Sequence, residues 1–349
     1  MQFQINISQA HPRNIDLDIV KGVLVLIMLT YHCASVAILV NFLPAAKSIT
    51  DRVSFIHYAF ILISGYLCGW YYWPRFGNPD NDVRRRLFIR ALKTTGIFFF
   101  LNLILYSMGI VYSFDQLLAR INSLNGIVNF LNGPPGNLAA FEVLYYIALF
   151  LFLSSVVLGR RTILSLILGS ILFLIYNNSG LPYWMLFGFV GMMVGILVHK
   201  GYLEDIWIFL EKTKGIPVIA GLVAYQFYLP RIHSVVNEFD SHYLNVVTYL
   251  TETVLWFLSF IFFVRLLNIN SLRSAVAAIG KYTLLGYIAQ MPIIRMGYGL
   301  LKKAGFQGFS YYLTNLIISG IVLCFFILVF SYLRSRVSIL DRCYKSVFQ

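Results

Sequence analysis

Three ionisable residues near the start of the chain fall on one face of a predicted helix. Asp18, Lys21 and His32 lie at the beginning of, or within, the first apolar segment. Lys21 and His32 are separated by about three helical turns, or about 16 Å along the axis, and Asp18 precedes Lys21 by one turn. An imidazole, with an ordinary pKa of about 6.5, moves protons near neutral pH, and an ammonium group attracts anions. The pattern predicts an anion site at Lys21 and a proton-transfer site at His32 on the same face of the helix.

Lys21 and His32 also have a simpler, structural interpretation. A histidine inside a membrane segment often hydrogen-bonds between helices, and a lysine near a segment end often extends its amine to the interface. The shared face of Lys21 and His32 reduces the weight of the structural interpretation only modestly, so both interpretations stay open at this point.

A basic cluster leads into the third apolar segment. If the segment is helical, Arg86, Arg90 and Lys93 recur on one face, with Arg84 and Arg85 beside them. Guanidinium groups bind phosphates bidentately, so this face is suited to a nucleotide-type phosphate. The alternative is contact with anionic lipid headgroups.

Carboxylates within apolar segments are costly and therefore candidates for function. Glu142 begins the fourth segment and Glu252 lies inside the eighth. Either is a candidate partner for His32, and each has Lys281 and Arg295 as alternative partners. No metal-ligand spacing such as His-x-x-x-His occurs, so we predict no metal site.

The second apolar segment contains a pair of small residues, Ser64 and Gly65, followed by Tyr66. Small residues in a membrane helix let another helix backbone approach closely. Taken alone, the pair predicts helix packing.

Composition sets the class of protein. The chain has 349 residues, of which 59% are hydrophobic and 12% are charged, whereas soluble domains are about half apolar and a quarter charged. These values exclude a soluble globular enzyme and a disordered protein. The four scattered cysteines indicate neither a disulfide framework nor a metal site. We predict an all-α polytopic integral membrane protein that forms one transmembrane domain over residues 1–349, with a short basic cytoplasmic tail at 334–349.

Hydropathy predicts about ten transmembrane helices. The segments are 19–42, 51–73, 91–112, 139–158, 162–176, 182–198, 216–230, 244–267, 276–300 and 311–333. Residues 113–138, which contain a Gly-Pro-Pro-Gly break, are predicted to form an interfacial or re-entrant segment.

The distribution of basic residues predicts the orientation. With a cytoplasmic amino terminus, 20 of the 27 lysines and arginines fall on the cytoplasmic side. Both termini are then cytoplasmic. The net charge of +13 is explained by topology, and nucleic acid is not expected as a partner.

The order of these motifs resembles the type 3 membrane acyltransferases. Arg13–Gly22 followed by His32 resembles the first helix of that family, and Phe60–Tyr66 resembles its second-helix Phe-x-x-Ser-Gly-Tyr/Phe stretch. Arg84–Arg90 lies where the family carries arginines, and Gly280–Tyr287 resembles its late Gly-x-x-Ser/Thr-Leu-x-x-Tyr segment. Two features differ. Lys21 replaces the family's arginine, and the cluster has Arg-x-x-x-Arg spacing instead of Arg-x-x-Arg.

The resemblance implies acyl transfer, of acetyl or succinyl, from cytoplasmic acyl-CoA to a hydroxyl of an extracytoplasmic glycan or lipid-linked sugar. It implies a multi-pass protein of the bacterial cytoplasmic (inner) membrane, in contact with membrane lipids. His32 is then a general base or a nucleophile, with Glu142 or Glu252 orienting its ring. The remaining expected site residues are Lys21, Arg85, Arg86 and Arg90 for the CoA phosphates and Asp18, Ser64 and Tyr66 for substrate binding.

Two other functions remain open at this stage. In a secondary transporter or flippase, Lys21 and His32 would line an ion or substrate path. Such proteins often have paired broken helices in matching halves, which the sequence does not display. In a membrane scaffold the same residues would have no chemical role.

Overall fold

The computed structural model describes residues 15–37, 43–53, 55–75, 82–107, 142–157, 184–238, 242–267 and 270–348. Within these ranges the chain forms helices and turns, and no strand is present. The predicted segment 162–176, and the predicted interfacial piece 113–138, lie outside the described residues. Each of the other predicted segments coincides with at least one helix, so the all-helical prediction is confirmed.

The helices are numbered here in chain order. They are α1 Ile15–Ala37, α2 Leu43–Val53, α3 Ile56–Leu67, α4 Val83–Ser107, α5 Glu142–Val157, α6 Trp184–His199, α7 Glu204–Lys212, α8 Ile216–Glu238, α9 His242–Leu267, α10 Asn270–Lys281, α11 Thr283–Lys303, α12 Gly308–Arg336 and α13 Ser338–Phe348. A π-helical turn, Cys68–Tyr72, and a 3₁₀ turn, Trp73–Arg75, continue α3.

Several described helices have the length and apolar composition of membrane spans. Four stretches qualify, namely Ile15–Ala37, Ala46–Arg75, Val83–Ile104 and Gly308–Arg336. A fifth is counted if the bent pair Leu186–His199 and Glu204–Lys212, which turns by 86°, forms one broken span. Shorter apolar helices cover Val143–Val156, Ile216–Tyr228 and Val247–Phe260. A multi-pass membrane protein follows, and the number ten and the sidedness of the termini remain predictions.

The predicted segment 276–300 is not one helix. α10 ends at Lys281, Tyr282 has non-helical dihedral angles (φ −112°, ψ 34°), and α11 begins at Thr283. The Thr283 hydroxyl donates a hydrogen bond to the carbonyl of Gly280 across this break. A hydropathy scan misses the break because apolar residues lie on both sides of it.

The described helices form two compact units. The first contains Met1–Lys47 and Phe260–Leu333, and the second contains Ser48–Ser259 and Arg334–Gln349.

In the first unit, α1 packs directly against α10 and α11. A Cβ atom on Gly22 would lie 2.1 Å from the main-chain oxygen of Val276, and one on Gly280 would lie 1.6 Å from that of Asp18. Both glycines therefore allow the two backbones to touch. This contact fixes the start of α1, where Asp18 and Lys21 lie, against α10.

In the second unit, α3 and its π-helical continuation pack against α6 through glycines. A Cβ on Gly65 would lie 1.8 Å from the Gly188 oxygen, and one on Gly191 would lie 2.0 Å from the Leu62 oxygen. The packing role predicted for Gly65 is confirmed. α4 packs against α5, and Leu87 of α4 is fully buried in a cluster that includes Phe150 of α5.

The carboxyl-terminal residues form a short helix, α13, that folds back on the end of α12. Arg334 Nε lies 2.7 Å from Asp341 Oδ1, and Lys345 Nζ lies 2.6 Å from Asp341 Oδ2. These two cations hold the pKa of Asp341 below its ordinary value. The Arg334 guanidinium also lies over the Tyr344 ring, 4.1 Å from its centroid.

Candidate active site

The helix α1 places the three predicted residues as the sequence spacing requires. It is continuous from Ile15 to Ala37, so Lys21 and His32 share one helix and one face. Lys21 Nζ lies 2.7 Å from Asp18 Oδ1, one turn earlier. The Asp18 side chain is 7% exposed and that of Lys21 is 20% exposed. A nearly buried carboxylate therefore holds the Lys21 amine in place.

His32 is half-buried, and its ring makes an edge contact with Tyr31 at 5.4 Å between centroids. The neighbouring hydroxyls serve their own helix, because Thr30 donates to the carbonyl of Leu26 and Ser35 donates to that of Tyr31.

A second contact joins the start of α1 to α10. Arg273 Nη2 lies 3.8 Å from Asp16 Oδ1, which is long for an ion pair. From sequence alone, Arg273 is one of the basic residues that indicate the cytoplasmic side. Its proximity to Asp16 depends on the packing of α10 on α1, which no local spacing reveals.

Buried polar residues line the interior of the first unit. Gln290 on α11 is fully buried, and neither its amide nitrogen nor its oxygen has a hydrogen-bond partner among the described residues. On α12, Asn315 donates to the Tyr311 hydroxyl (3.1 Å) and Ser319 donates to Asn315 Oδ1 (3.2 Å). A buried amide that lacks a partner is costly, so Gln290 is a further candidate for contact with substrate.

The basic cluster lies on α4 in the second unit. Asp82 caps the helix by accepting a hydrogen bond from the main-chain N–H of Arg85 (3.1 Å). Arg85, Arg86 and Arg90 are exposed, and the Arg90 guanidinium lies 5.5 Å from the centroid of the Tyr72 ring. The prediction that the cluster continues as a helix into the third segment is confirmed.

The second unit also contains Glu252, which is fully buried on α9. Gln226 Nε2 of α8 donates to Glu252 Oε1 at 2.9 Å. Trp256, one turn further along, lies beside the carboxylate and stacks on Phe55 with a centroid distance of 5.4 Å. Among the described residues, Gln226 is therefore a hydrogen-bond donor that holds the Glu252 carboxylate. Glu142 is the first residue of α5, and its side chain lies outside the described set.

The remaining predicted residues lie on α3. The Ser64 hydroxyl donates to the carbonyl of Phe60 on the same helix (2.9 Å). Tyr66 is half-buried, with its ring stacked near that of Trp70. Within the described residues, no group of three or more His, Cys, Asp and Glu residues could hold a metal ion.

The predicted residues are thus divided between the two units. The first contains Asp18, Lys21 and His32, and the second contains Ser64, Tyr66, the α4 arginines and Glu252. Asp18 and Lys21 are in direct contact, and Glu252 is held by Gln226, a residue that the sequence did not single out.

Comparisons with known proteins identify the family. A family model described as an acyltransferase domain, that of the acyltransferase 3 family, matches residues 14–336. No curated protein and no solved structure matches the chain. The matched range begins just before α1 and ends with α12, so it includes the candidate active-site residues of both units. The chain belongs to the acyltransferase 3 family and is a membrane acyltransferase.

Proposed function

We propose that the protein transfers an acetyl or succinyl group from cytoplasmic acyl-CoA to a hydroxyl of an extracytoplasmic glycan or lipid-linked sugar. The observation that carries the proposal is the arrangement of α1. A lysine held by Asp18 stands about three turns from a half-buried imidazole on the same helical face. Anion binding at one end and proton transfer at the other are the two requirements for acyl transfer from a phosphorylated thioester.

In this mechanism His32 is the general base. Its neutral imidazole takes the proton of the acceptor hydroxyl as that oxygen attacks the thioester carbonyl. The bond from carbon to sulfur breaks, the CoA thiolate leaves, and a proton returns to the thiolate. The acceptor oxygen keeps the acyl group as an ester. Lys21 attracts a donor phosphate, and the α4 arginines, Arg85, Arg86 and Arg90, supply additional phosphate ligands.

The topology proposed from the basic residues suits this chemistry. With both termini cytoplasmic, the start of α1 and the start of α4 are on the donor side. His32 then lies deeper in the membrane, in the direction of the acceptor. We place the protein in the bacterial cytoplasmic membrane on this basis.

The proposed function is tested with purified protein in lipid nanodiscs. The protein is incubated with acetyl-CoA or succinyl-CoA carrying a labelled acyl group and with envelope glycans from cells that lack the protein. We expect labelled ester on the glycan with one of the two donors. Mass spectrometry of envelope glycans from cells with and without the protein should reveal the same acyl group. Absence of label transfer, together with identical glycan spectra, would refute the proposal.

A charge reversal at Lys21 is expected to lower kcat/KM for the donor at least about tenfold. Lys21→Glu places a carboxylate one turn from Asp18, so that two negative charges face the incoming phosphates. Lys21→Arg keeps the charge and adds a bidentate donor, so it should retain activity. Donor titrations of the wild type and both variants supply the measurement.

The exchange variant Asp18→Lys/Lys21→Glu separates a structural role from a binding role. It restores an ion pair on the same two positions but moves the cation by one turn. If the pair only stabilises α1, the exchange variant should recover full activity along with thermal stability. If Lys21 binds the donor, stability should return without activity.

A further inference from the structure

A pocket in the first unit is lined mainly by α10 and the start of α1. Its volume is about 570 Å³, and it is open to the surface. Its lining includes Asp18 of α1 and Arg273, Ser274, Ala277, Ala278 and Lys281 of α10.

The pocket exists because one face of α10 carries small side chains. Ala277 and Ala278 both follow Ser274 by about one turn, and these small side chains leave space beside the start of α1. Arg273 and Lys281 mark the two ends of this face. They are eight positions apart, which is about 12 Å along the helix.

The charges around the pocket favour an anion. Arg273 is partly exposed at 32% and is 3.8 Å from Asp16, so its guanidinium keeps donors for a ligand. The Lys281 amine is exposed, and it lies 5.5 Å from the centroid of the Tyr282 ring. Asp18, the carboxylate among the lining residues, is in a 2.7 Å ion pair with Lys21.

We propose that this pocket binds phosphate esters, with Arg273 and Lys281 as the charged ligands and the Ser274 hydroxyl as an additional donor. The distance between the two cations fits a ligand with separated phosphate groups, as in a 3′-phosphorylated nucleotide with a diphosphate arm. The proposal rests on the proposed function to the extent that such a ligand is the acyl donor. An anionic lipid headgroup offers the same phosphate chemistry, and the experiment distinguishes the two sources.

The first arm measures CoA binding by calorimetry, with the full-length protein in nanodiscs of neutral phosphatidylcholine. Arg273→Gln/Lys281→Gln should weaken CoA binding about tenfold or more, because two charge-assisted contacts are lost. Lys302→Gln/Lys303→Gln removes two exposed lysines at the far end of α11 and should leave the affinity unchanged. Dephospho-CoA, which lacks the 3′-phosphate, should lose less affinity in the pocket variant than CoA does.

A second variant keeps the charges and fills the space. Ala278→Leu projects a larger side chain into the pocket and should weaken CoA binding by a similar factor. This variant keeps the test decisive if the double glutamine variant fails to fold.

The second arm measures lipid binding by native mass spectrometry, in nanodiscs that contain phosphatidylglycerol. If CoA binding is unchanged in the pocket variants but bound phosphatidylglycerol is lost, the phosphate comes from a lipid headgroup. If neither ligand is affected by any pocket variant, the proposal is overturned.

Because both arms measure binding, they are independent of turnover. A protein that transfers no acyl group but loses CoA binding in the pocket variants refutes the proposed function and keeps the pocket. If the protein transfers acyl groups but its pocket variants bind CoA and lipid normally, the proposed function stands and the pocket proposal is refuted.

Discussion

His32→Ala is expected to lower the rate of acyl transfer at least about 100-fold, since a positioned general base contributes about 10²–10⁴ to a rate. The protein should remain folded and reach normal abundance. His32 is half-buried on a continuous helix whose packing rests on fully buried neighbours, among them Leu29 and Cys33. Initial rates with saturating donor and acceptor, compared with thermal unfolding of the same preparations, supply the measurement.

His32→Gln sharpens this test. Glutamine has a similar size and hydrogen-bonds through its amide, but it does not exchange a proton near neutral pH. If His32 only bridges helices, His32→Gln should be active where His32→Ala is not. If it is the base, both variants should be inactive. Full activity of His32→Gln would contradict the catalytic role.

His57 provides a matched control. It is also half-buried and lies on an apolar helix, α3, in the second unit. His57→Ala removes an imidazole from a similar environment and should keep most of the activity. Equal losses in His32→Ala and His57→Ala would indicate a general effect of removing a half-buried histidine.

One experiment separates the two chemical roles of His32 that the sequence left open. A nucleophilic histidine forms an acyl-imidazole when donor is present without acceptor. A general base leaves the protein unmodified under those conditions. Intact-protein mass spectrometry after donor incubation distinguishes them, and we expect no added acyl group.

The helices could be predicted because hydropathy and the basic residues are local signals. The spacing of Asp18, Lys21 and His32 predicted a shared face, and the structure has all three on one uninterrupted helix. The extension of the arginine cluster into α4 followed from its spacing in the same way.

Short amphipathic helices were not predicted. α7, α10 and α13 have 9, 12 and 11 residues, below the length at which a search for membrane spans detects a helix. α10 was therefore merged with the apolar start of α11. The break at Tyr282 is visible only in the backbone.

The tertiary contacts of the candidate residues in each unit could not be predicted from their spacing. Gln226 and Glu252 are 26 positions apart on different helices, and Arg273 is far in sequence from Asp16. The pocket beside Asp18 exists because α10 packs on α1, and that contact depends on glycines whose neighbours are distant in sequence. A residue pattern in one helix does not specify which other helix it meets.

Gly280→Ala is expected to separate α10 from α1. The added Cβ would lie 1.6 Å from the main-chain oxygen of Asp18 and 2.8 Å from the main-chain nitrogen of Gly22. A side chain that meets another side chain can be accommodated by a rotamer change, but a main-chain atom inside a helix has no such freedom. Overpacking typically costs about 1–3 kcal/mol, and we expect at least the upper part of that range here. Chemical unfolding followed by circular dichroism measures the loss.

The same substitution should also reduce activity, because the displaced backbone carries the side chain that holds Lys21. Asp18 contributes both the clashing oxygen and the carboxylate 2.7 Å from Lys21 Nζ. Gly299→Ala is the matched control, since an alanine Cβ at this α11 position meets nothing within 4 Å. It should be neutral or stabilise the helix by up to about 1 kcal/mol. If Gly280→Ala and Gly299→Ala behave alike in unfolding and in acyl transfer, the close contact of α1 with α10 does not position the candidate site.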